Sequence, residues 1–281
     1  VQQKERKAMK KKIITNDGVE IPLLGLGTWL SRGRDCQRAV EFALTHGYDH
    51  IDTAQGYDNE KDVGKGWKAS GRSRKEIYIT TKISTPNQGY EKSMRSLEKS
   101  LQALQTEYVD LLLIHWPNLS DIERTFETWQ ALVELQRRGL TRSIGVSNFP
   151  VDLLEDLLGR TDVVPAINQV EFHTFLYQRE LLTYCREKGI QIEAYSPVAR
   201  AKFFNHEKLV KIAQKYSRTP AQVMLAWLIN HDLVTIPKSI HEARILENAD
   251  IFFQLDREDM DILDNLQPQT RLVQEPNLFK D

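Results

Sequence analysis

Apolar residues recur along this chain in short blocks, each followed by a polar turn and then by a segment whose apolar positions return at helical spacing. Eight blocks stand out: PLLGLG (22–27), HIDTA (50–54), IYITTK (77–82), VDLLLIH (109–115), RSIGVS (142–147), PAINQVE (165–171), QIEAYS (191–196) and LVTIP (233–237). They are short, β-branched or leucine-rich and mostly without strict alternation, the pattern of parallel strands covered on both faces. The clearest helical segments between them are 36–47, 91–105, 121–139 and 219–231. The third opens on Asp121 as its cap and closes on Arg137, Arg138 and Gly139; the fourth opens on Thr219 and Pro220. Acid at the start, base and glycine at the end, and proline in the first turn are helix-boundary chemistry. Strand–helix alternation predicts a parallel sheet, and eight strands in this length predict a closed (β/α)8 TIM barrel over an open doubly wound sheet. Ahead of the first block, Asn16-Asp17-Gly18 between apolar pairs predicts a β-hairpin capping one barrel end. DREDMDILDNLQ predicts an extra C-terminal helix, and the closing RLVQEPNLFKD has no clear period.

No composition shift or linker divides the chain, so residues 9–281 are read as one barrel domain and residues 1–8, ahead of Met9, as an extension. The net charge is −1, which points away from nucleic acid and anionic membrane as partners. No apolar run reaches the ~18 residues a membrane span needs, and the charged start VQQKERKAMKKK has no secretory apolar core. Cys36 and Cys185 lie far apart with no metal-like spacing, so both are read as reduced thiols of a cytoplasmic protein. A monomer is expected.

Chemistry in such a barrel sits at the C-terminal ends of its strands. Those ends carry Asp52 with Tyr57 just after it, Lys82, His115, Ser147 and Asn148, Asn168, Gln169 and Glu171, Tyr195 and Ser196, and then Lys238 and Ser239. Buried Lys and Asp are costly unless paired. Adjacent strands lie ~5 Å apart, so Asp52, Tyr57, Lys82 and His115 can converge. An ammonium beside a phenol lowers the tyrosine pKa from its reference of ~10, and a carbonyl reduced by hydride needs a proton donor at the developing alkoxide. Singly, each residue has a structural reading: a capping Asp, a packed Tyr, a hydrogen-bonded core His. The four at successive strand ends point to catalysis. Lys238, Ser239 and Arg244 place two cations and a hydroxyl on one segment, chemistry suited to a 2′-phosphate, with a solvated helix start carrying incidental charges as the alternative. No GxGxxG stands at a strand–helix junction, so a Rossmann dinucleotide site is not indicated.

From about Gly25 to Asn248 the chain resembles the aldo-keto reductase family, through GLGTW (25–29), DTAQGYDNEKDVG (52–64), TTK (80–82), LIHWP (113–117), GVSNF (145–149), NQVE (168–171), AYSP (194–197) and IPKSIHEARILEN (236–248). Several motifs in one order are far more specific than a lone glycine pattern. The resemblance implies NADP(H)-dependent carbonyl reduction with Asp52, Tyr57, Lys82 and His115 as catalytic tetrad, Tyr57 being the general acid. It implies cofactor contacts from Gly27, Thr28, Ser147, Asn148, Gln169, Tyr195, Ser196, Pro197, Lys238, Ser239, Arg244, Glu247 and Asn248. Ser147, Asn148 and Gln169 would hold the nicotinamide carboxamide, Tyr195 would stack on its ring, and Glu247 and Asn248 would lie near the adenine. Trp29, Tyr57, His115 and Trp116 would face the substrate; rim packing is the alternative for the two tryptophans. The family uses no metal, and Glu171 with His173 has no third ligand at suitable spacing.

Two features depart from the commonest pattern. The loop after LIHWP is short (Asn118, Leu119, Ser120), and VARAKFFNHEK follows AYSP where many relatives have Leu-Gly. Both are similar to the short-loop microbial branch that includes 2,5-diketogluconate and methylglyoxal reductases. Small aldehydes, dicarbonyls and keto-sugars are the implied substrates, with Arg200 and Lys202 either binding an acidic substrate or facing solvent. Two rival readings remain: a Schiff-base aldolase with Lys82 as nucleophile, and a non-catalytic NADPH-sensing subunit.

Overall fold

The computed structural model describes residues 11–273, so the readings of residues 1–8 and of the end of the chain lie outside it. The strands in chain order are β1 (Lys12–Ile14), β2 (Glu20–Pro22), β3 (Leu26–Gly27), β4 (His50–Asp52), β5 (Tyr78–Ile83), β6 (Val109–Ile114), β7 (Thr141–Ser147), β8 (Ile167–Glu171), β9 (Gln191–Tyr195) and β10 (Val234–Thr235). Strands β3 to β10 form one parallel sheet in sequential order. Its two edges meet through the parallel bridges Leu24↔Thr235 and Gly27↔Lys238, which close the sheet into the (β/α)8 barrel. At this seam Gly27 N donates to Pro237 O at 3.2 Å. A Cβ on Gly27 would lie 2.6 Å from Ile236 O, so only glycine lets the two edges approach this closely.

The apolar runs form strands because both faces are covered: every residue of β4, β5, β6 and β8 is buried. The two strands at the seam are shorter than their apolar runs, at two residues each. PLLGLG supplies the end of the hairpin as well as β3, because its Pro22 is the last residue of β2.

The helices match the expected segments closely, at Gly33–Thr45, Tyr90–Leu104, Ile122–Arg137 and Pro220–Asn230. Thr219 accepts from Gln222 N, whose side chain accepts in turn from Thr219 N. This capping box contributes on the order of 1 kcal/mol. Asp121 does stand at the N-cap of its helix, but its side chain makes no cap bond and pairs with Arg124 at 2.9 Å instead. Trp129 and Trp227 are buried in the core. Trp227 also donates to Asp264 at 2.7 Å, just beyond the extra helix Arg257–Leu263, and so ties that helix to the barrel.

The hairpin of β1 and β2 covers the N-terminal end of the barrel. Its turn is fastened there by Asn16 Nδ2 to Pro165 O (3.0 Å) and by Ser143 Oγ to Asp17 (2.6 Å). The opposite end is left as an open mouth.

Candidate active site

A cavity of about 510 Å³ opens at the C-terminal mouth of the barrel. Asp52, Tyr57, His115, Trp116, Ser147, Asn148, Gln169, Tyr195, Ser196, Pro197 and Lys238 line it, with Gly27 and Trp29 on the side of the seam. Register explains the convergence: Gly27 pairs with Asp52, Ser147 with Gln169, and Glu171 with Tyr195. These pairs bring one polar residue after another to the same rim.

Lys82 lies beneath the cavity and is fully buried. Its ammonium donates to Asp52 Oδ1 (2.7 Å), to Thr53 O (2.8 Å) and to the Tyr57 hydroxyl (3.4 Å). Burial alone would favour loss of its proton, but the attraction of Asp52 and Tyr57 and the hydrogen bond to Asp52 outweigh it, and its pKa stands above the ordinary lysine value. Burial pushes the Asp52 carboxyl up, while Lys82 and Gln169 pull it back.

For Tyr57 the structure corrects the expected direction. Lys82 does act to lower its pKa, but burial acts more strongly, and the net result is a phenol raised above its usual value. Tyr57 therefore keeps its proton at neutral pH. The rings of Tyr57 and His115 meet edge to face, 5.4 Å apart. Burial, aided by the charge of Lys82, lowers His115 to about 3, so the imidazole is neutral near pH 7.

Asn148 holds a left-handed backbone (φ 64°) that asparagine tolerates better than most residues. Its side chain donates to His115 O (3.1 Å) and Ser147 Oγ (3.1 Å) and accepts from the Tyr195 hydroxyl (2.8 Å). Ser147 in turn donates to Gln169 O at 2.8 Å. The amide of Gln169 donates to Asp52 Oδ2 (2.9 Å) and to Glu193 Oε2 (3.0 Å). Thr28 lies under the rim, with its hydroxyl and its amide N–H both donating to Asp52 O.

The remaining expected residues stand outside the lining. Ser239 is buried and exchanges hydrogen bonds with the backbone of His241. Arg244 is exposed, Glu247 accepts from Thr219 and Asn248 is buried, all on the helix Glu242–Ala249. Of this basic segment, Lys238 alone reaches the cavity wall. Glu171 and His173 hydrogen-bond each other at 3.1 Å, and Glu171 also accepts from the N–H groups of Leu272 (2.8 Å) and Val273 (2.9 Å). That carboxylate anchors the C-terminal segment, and Val273 joins the cavity wall.

Sequence reasoning missed several cavity residues: Leu30, Gly56, Val198, Ile236 and Val273. It also left Arg200 undecided. Arg200 borders the cavity, its guanidinium 4.9 Å from the centre of the Trp29 ring, while Lys202 is exposed beside Phe203. Three successive non-glycine residues, Ala199, Arg200 and Ala201, take left-handed backbone there (φ 48°, 49° and 62°). Such a run carries a steric cost. The other miss is Glu193, fully buried beside Gln169, where burial and the nearby Asp52 raise its pKa to about 8.

The residues present suit a nicotinamide dinucleotide. Amide and hydroxyl groups gather at the deep end, the Tyr195 ring stands on the wall and the cation of Lys238 stands at the seam.

The chain is similar to known proteins along most of its length. The model of the aldo/keto reductase family matches residues 23–268. The chain is 46% identical to a glyoxal reductase of Bacillus subtilis, across 96% of this chain and 98% of that one. It is 39% identical to the methylglyoxal reductase DkgA of Escherichia coli, across 94% and 95%. Among solved structures, a mutant of Gox0644 in complex with NADPH superposes with a TM-score of 0.91 at 38% identity, covering 97% of this chain and 99% of that one. A Bombyx mori aldo-keto reductase in complex with NADP gives 0.88 at 34% identity, covering 95% and 96%. The chain belongs to the aldo/keto reductase family.

Proposed function

We propose that this protein reduces small aldehydes and ketones, dicarbonyls and keto-sugars foremost, to alcohols with NADPH. The observation that carries the reading is the contact between the Tyr57 hydroxyl and the buried Lys82 ammonium at the floor of a cavity that also holds a neutral His115. Bound NADPH would supply the hydride. Tyr57, protonated at neutral pH, donates its proton to the carbonyl oxygen as negative charge develops there. The phenolate left behind is stabilised by Lys82, which Asp52 and Thr53 hold in place. His115 orients the carbonyl as a neutral hydrogen-bonding group. Ser147, Asn148 and Gln169 would hold the carboxamide end of the coenzyme, Tyr195 would pack against its ring, and Lys238 with Arg244 would attract its phosphates. Trp29, Leu30 and Trp116 give the cavity an apolar side against which a small carbonyl compound can rest.

Lys82 is poorly placed as a Schiff-base nucleophile. Such an amine must be neutral and must reach substrate, whereas this one is fully buried, held by three acceptors and raised in pKa.

Replacing Tyr57 with Phe is expected to cut carbonyl reduction at least ~10²-fold while NADPH still binds. Near-wild-type turnover in that variant would remove Tyr57 from the role, and NADPH binding without turnover in the wild type would favour a sensor.

A further inference from the structure

Glu193 is a buried acid that the reaction above does not use. It stands on β9 directly opposite Gln169 of β8, so the two side chains meet inside the barrel. Gln169 Nε2 donates to Asp52 Oδ2 at 2.9 Å and to Glu193 Oε2 at 3.0 Å. An amide nitrogen has two hydrogens, so both are committed to the barrel interior. The free polar atom of Gln169, its carbonyl oxygen, is then the one left to face the cavity that Gln169 lines. Asp52 alone would fix one N–H and leave the amide free to swing about it. Glu193 removes that freedom by binding the second.

We propose that Glu193 is a positioning residue for the coenzyme: it locks the Gln169 amide so that its carbonyl oxygen is presented as acceptor to the N–H of the nicotinamide carboxamide. This rests on the reading of the cavity as an NADPH site. The chemistry makes the role selective, because a coenzyme with no N–H at that position gains nothing from a locked acceptor.

The test compares NADPH with its 3-acetylpyridine analogue, which carries an acetyl group in place of the carboxamide, by fluorescence or calorimetric titration. In Glu193→Leu, NADPH affinity is expected to fall about 10-fold, the worth of one ordinary hydrogen bond, while affinity for the analogue stays within about 2-fold of wild type. Glu193→Gln, whose side-chain carbonyl can accept the same bond, is expected to keep wild-type discrimination. In a Gln169→Leu background the Glu193 change is expected to have no further effect. Glu193→Val serves as a second apolar variant if the leucine variant misfolds, and Glu193→Gln is nearly isosteric. Unchanged discrimination in the apolar variants would overturn the proposal. So would an equal loss for both coenzymes, or loss of discrimination in Glu193→Gln. Failure of the wild type to bind NADPH at all would instead overturn the reading of the cavity.

Discussion

Two buried aspartates, one at each end of the barrel, make opposite use of the same interaction. At the closed end, Asp110 on β6 is taken by Arg74 (2.6 Å), by Arg142 (3.0 Å) and by the N–H of Ile79 (2.9 Å). At the open end, Asp52 on β4 is taken by Lys82 (2.7 Å) and by Gln169 (2.9 Å). Both carboxylates are almost fully buried and both are satisfied. What differs is the cation. Arginine cannot give up its proton in a protein, and its planar fork around Asp110 fastens strand to strand. The lysine at the mouth also keeps its proton, but it donates to a phenol that borders a cavity. The two ion pairs therefore differ in that the cation of one has a titratable neighbour open to a cavity, which is what the proposed reaction uses.

The comparison breaks most sharply at Lys82. Lys82→Met removes the ammonium that stabilises the phenolate, and kcat for carbonyl reduction is expected to fall by roughly 10³-fold, about 4 kcal/mol of barrier. A loss below about 10-fold would leave the two ends of the barrel equivalent. Asp110→Ala strands two arginines at the closed end and is expected to cost about 3–5 kcal/mol of stability in denaturant titrations, with turnover per folded molecule unchanged. A fall in turnover there would erase the contrast.

Acid should weaken the whole barrel. His50 is buried, and its pKa is lowered to about 3 by burial and by Lys82, against about 6.5 in an unfolded chain. Between those values the unfolded chain binds a proton that the folded chain refuses, so the contribution of His50 to stability is complete above about pH 6.5 and is lost as pH falls towards about 3, while Glu193, raised to about 8, works in the opposite sense over the upper part of that window. A His50→Gln variant whose denaturation midpoint follows pH just as the wild type does across this window would contradict a neutral buried imidazole. Arg244→Ala is expected to weaken NADPH about 10-fold and NADH hardly at all, which would extend the cation logic to the exposed helix; unchanged NADPH affinity would remove Arg244 from the site. The smallest effect is expected from Arg142→Ala, under about 1 kcal/mol, because that side chain is half exposed.

Much of this contrast was legible in the chain itself. Parallel strands buried on both faces write themselves as unbroken apolar runs, so all eight barrel strands, and Asp52, Tyr57, Lys82 and His115 at or just past the ends of three of them, could be placed from spacing. The direction of the Tyr57 shift could not. It depends on how much burial opposes Lys82, and burial is set by the packed barrel and not by neighbours in sequence. Glu193 was passed over because within QIEAYS it is one acid in an apolar strand, and its meeting with Gln169 exists only once β8 and β9 are in register. Arg200 was ambiguous because a left-handed backbone at non-glycine residues turns it towards Trp29, and composition gives no sign of such a turn.

The seam at Gly27 has one more consequence. The barrel's first and last strands are joined there by a few backbone bonds, and Lys238, bridged to Gly27, also stands on the cavity wall. A dinucleotide gripped by Lys238 would span the joint like a clasp across a cut ring. Coenzyme supply would then govern how long the ring stays shut as well as how fast it turns over substrate, since any ligand that prefers the folded chain holds it folded in proportion to its concentration.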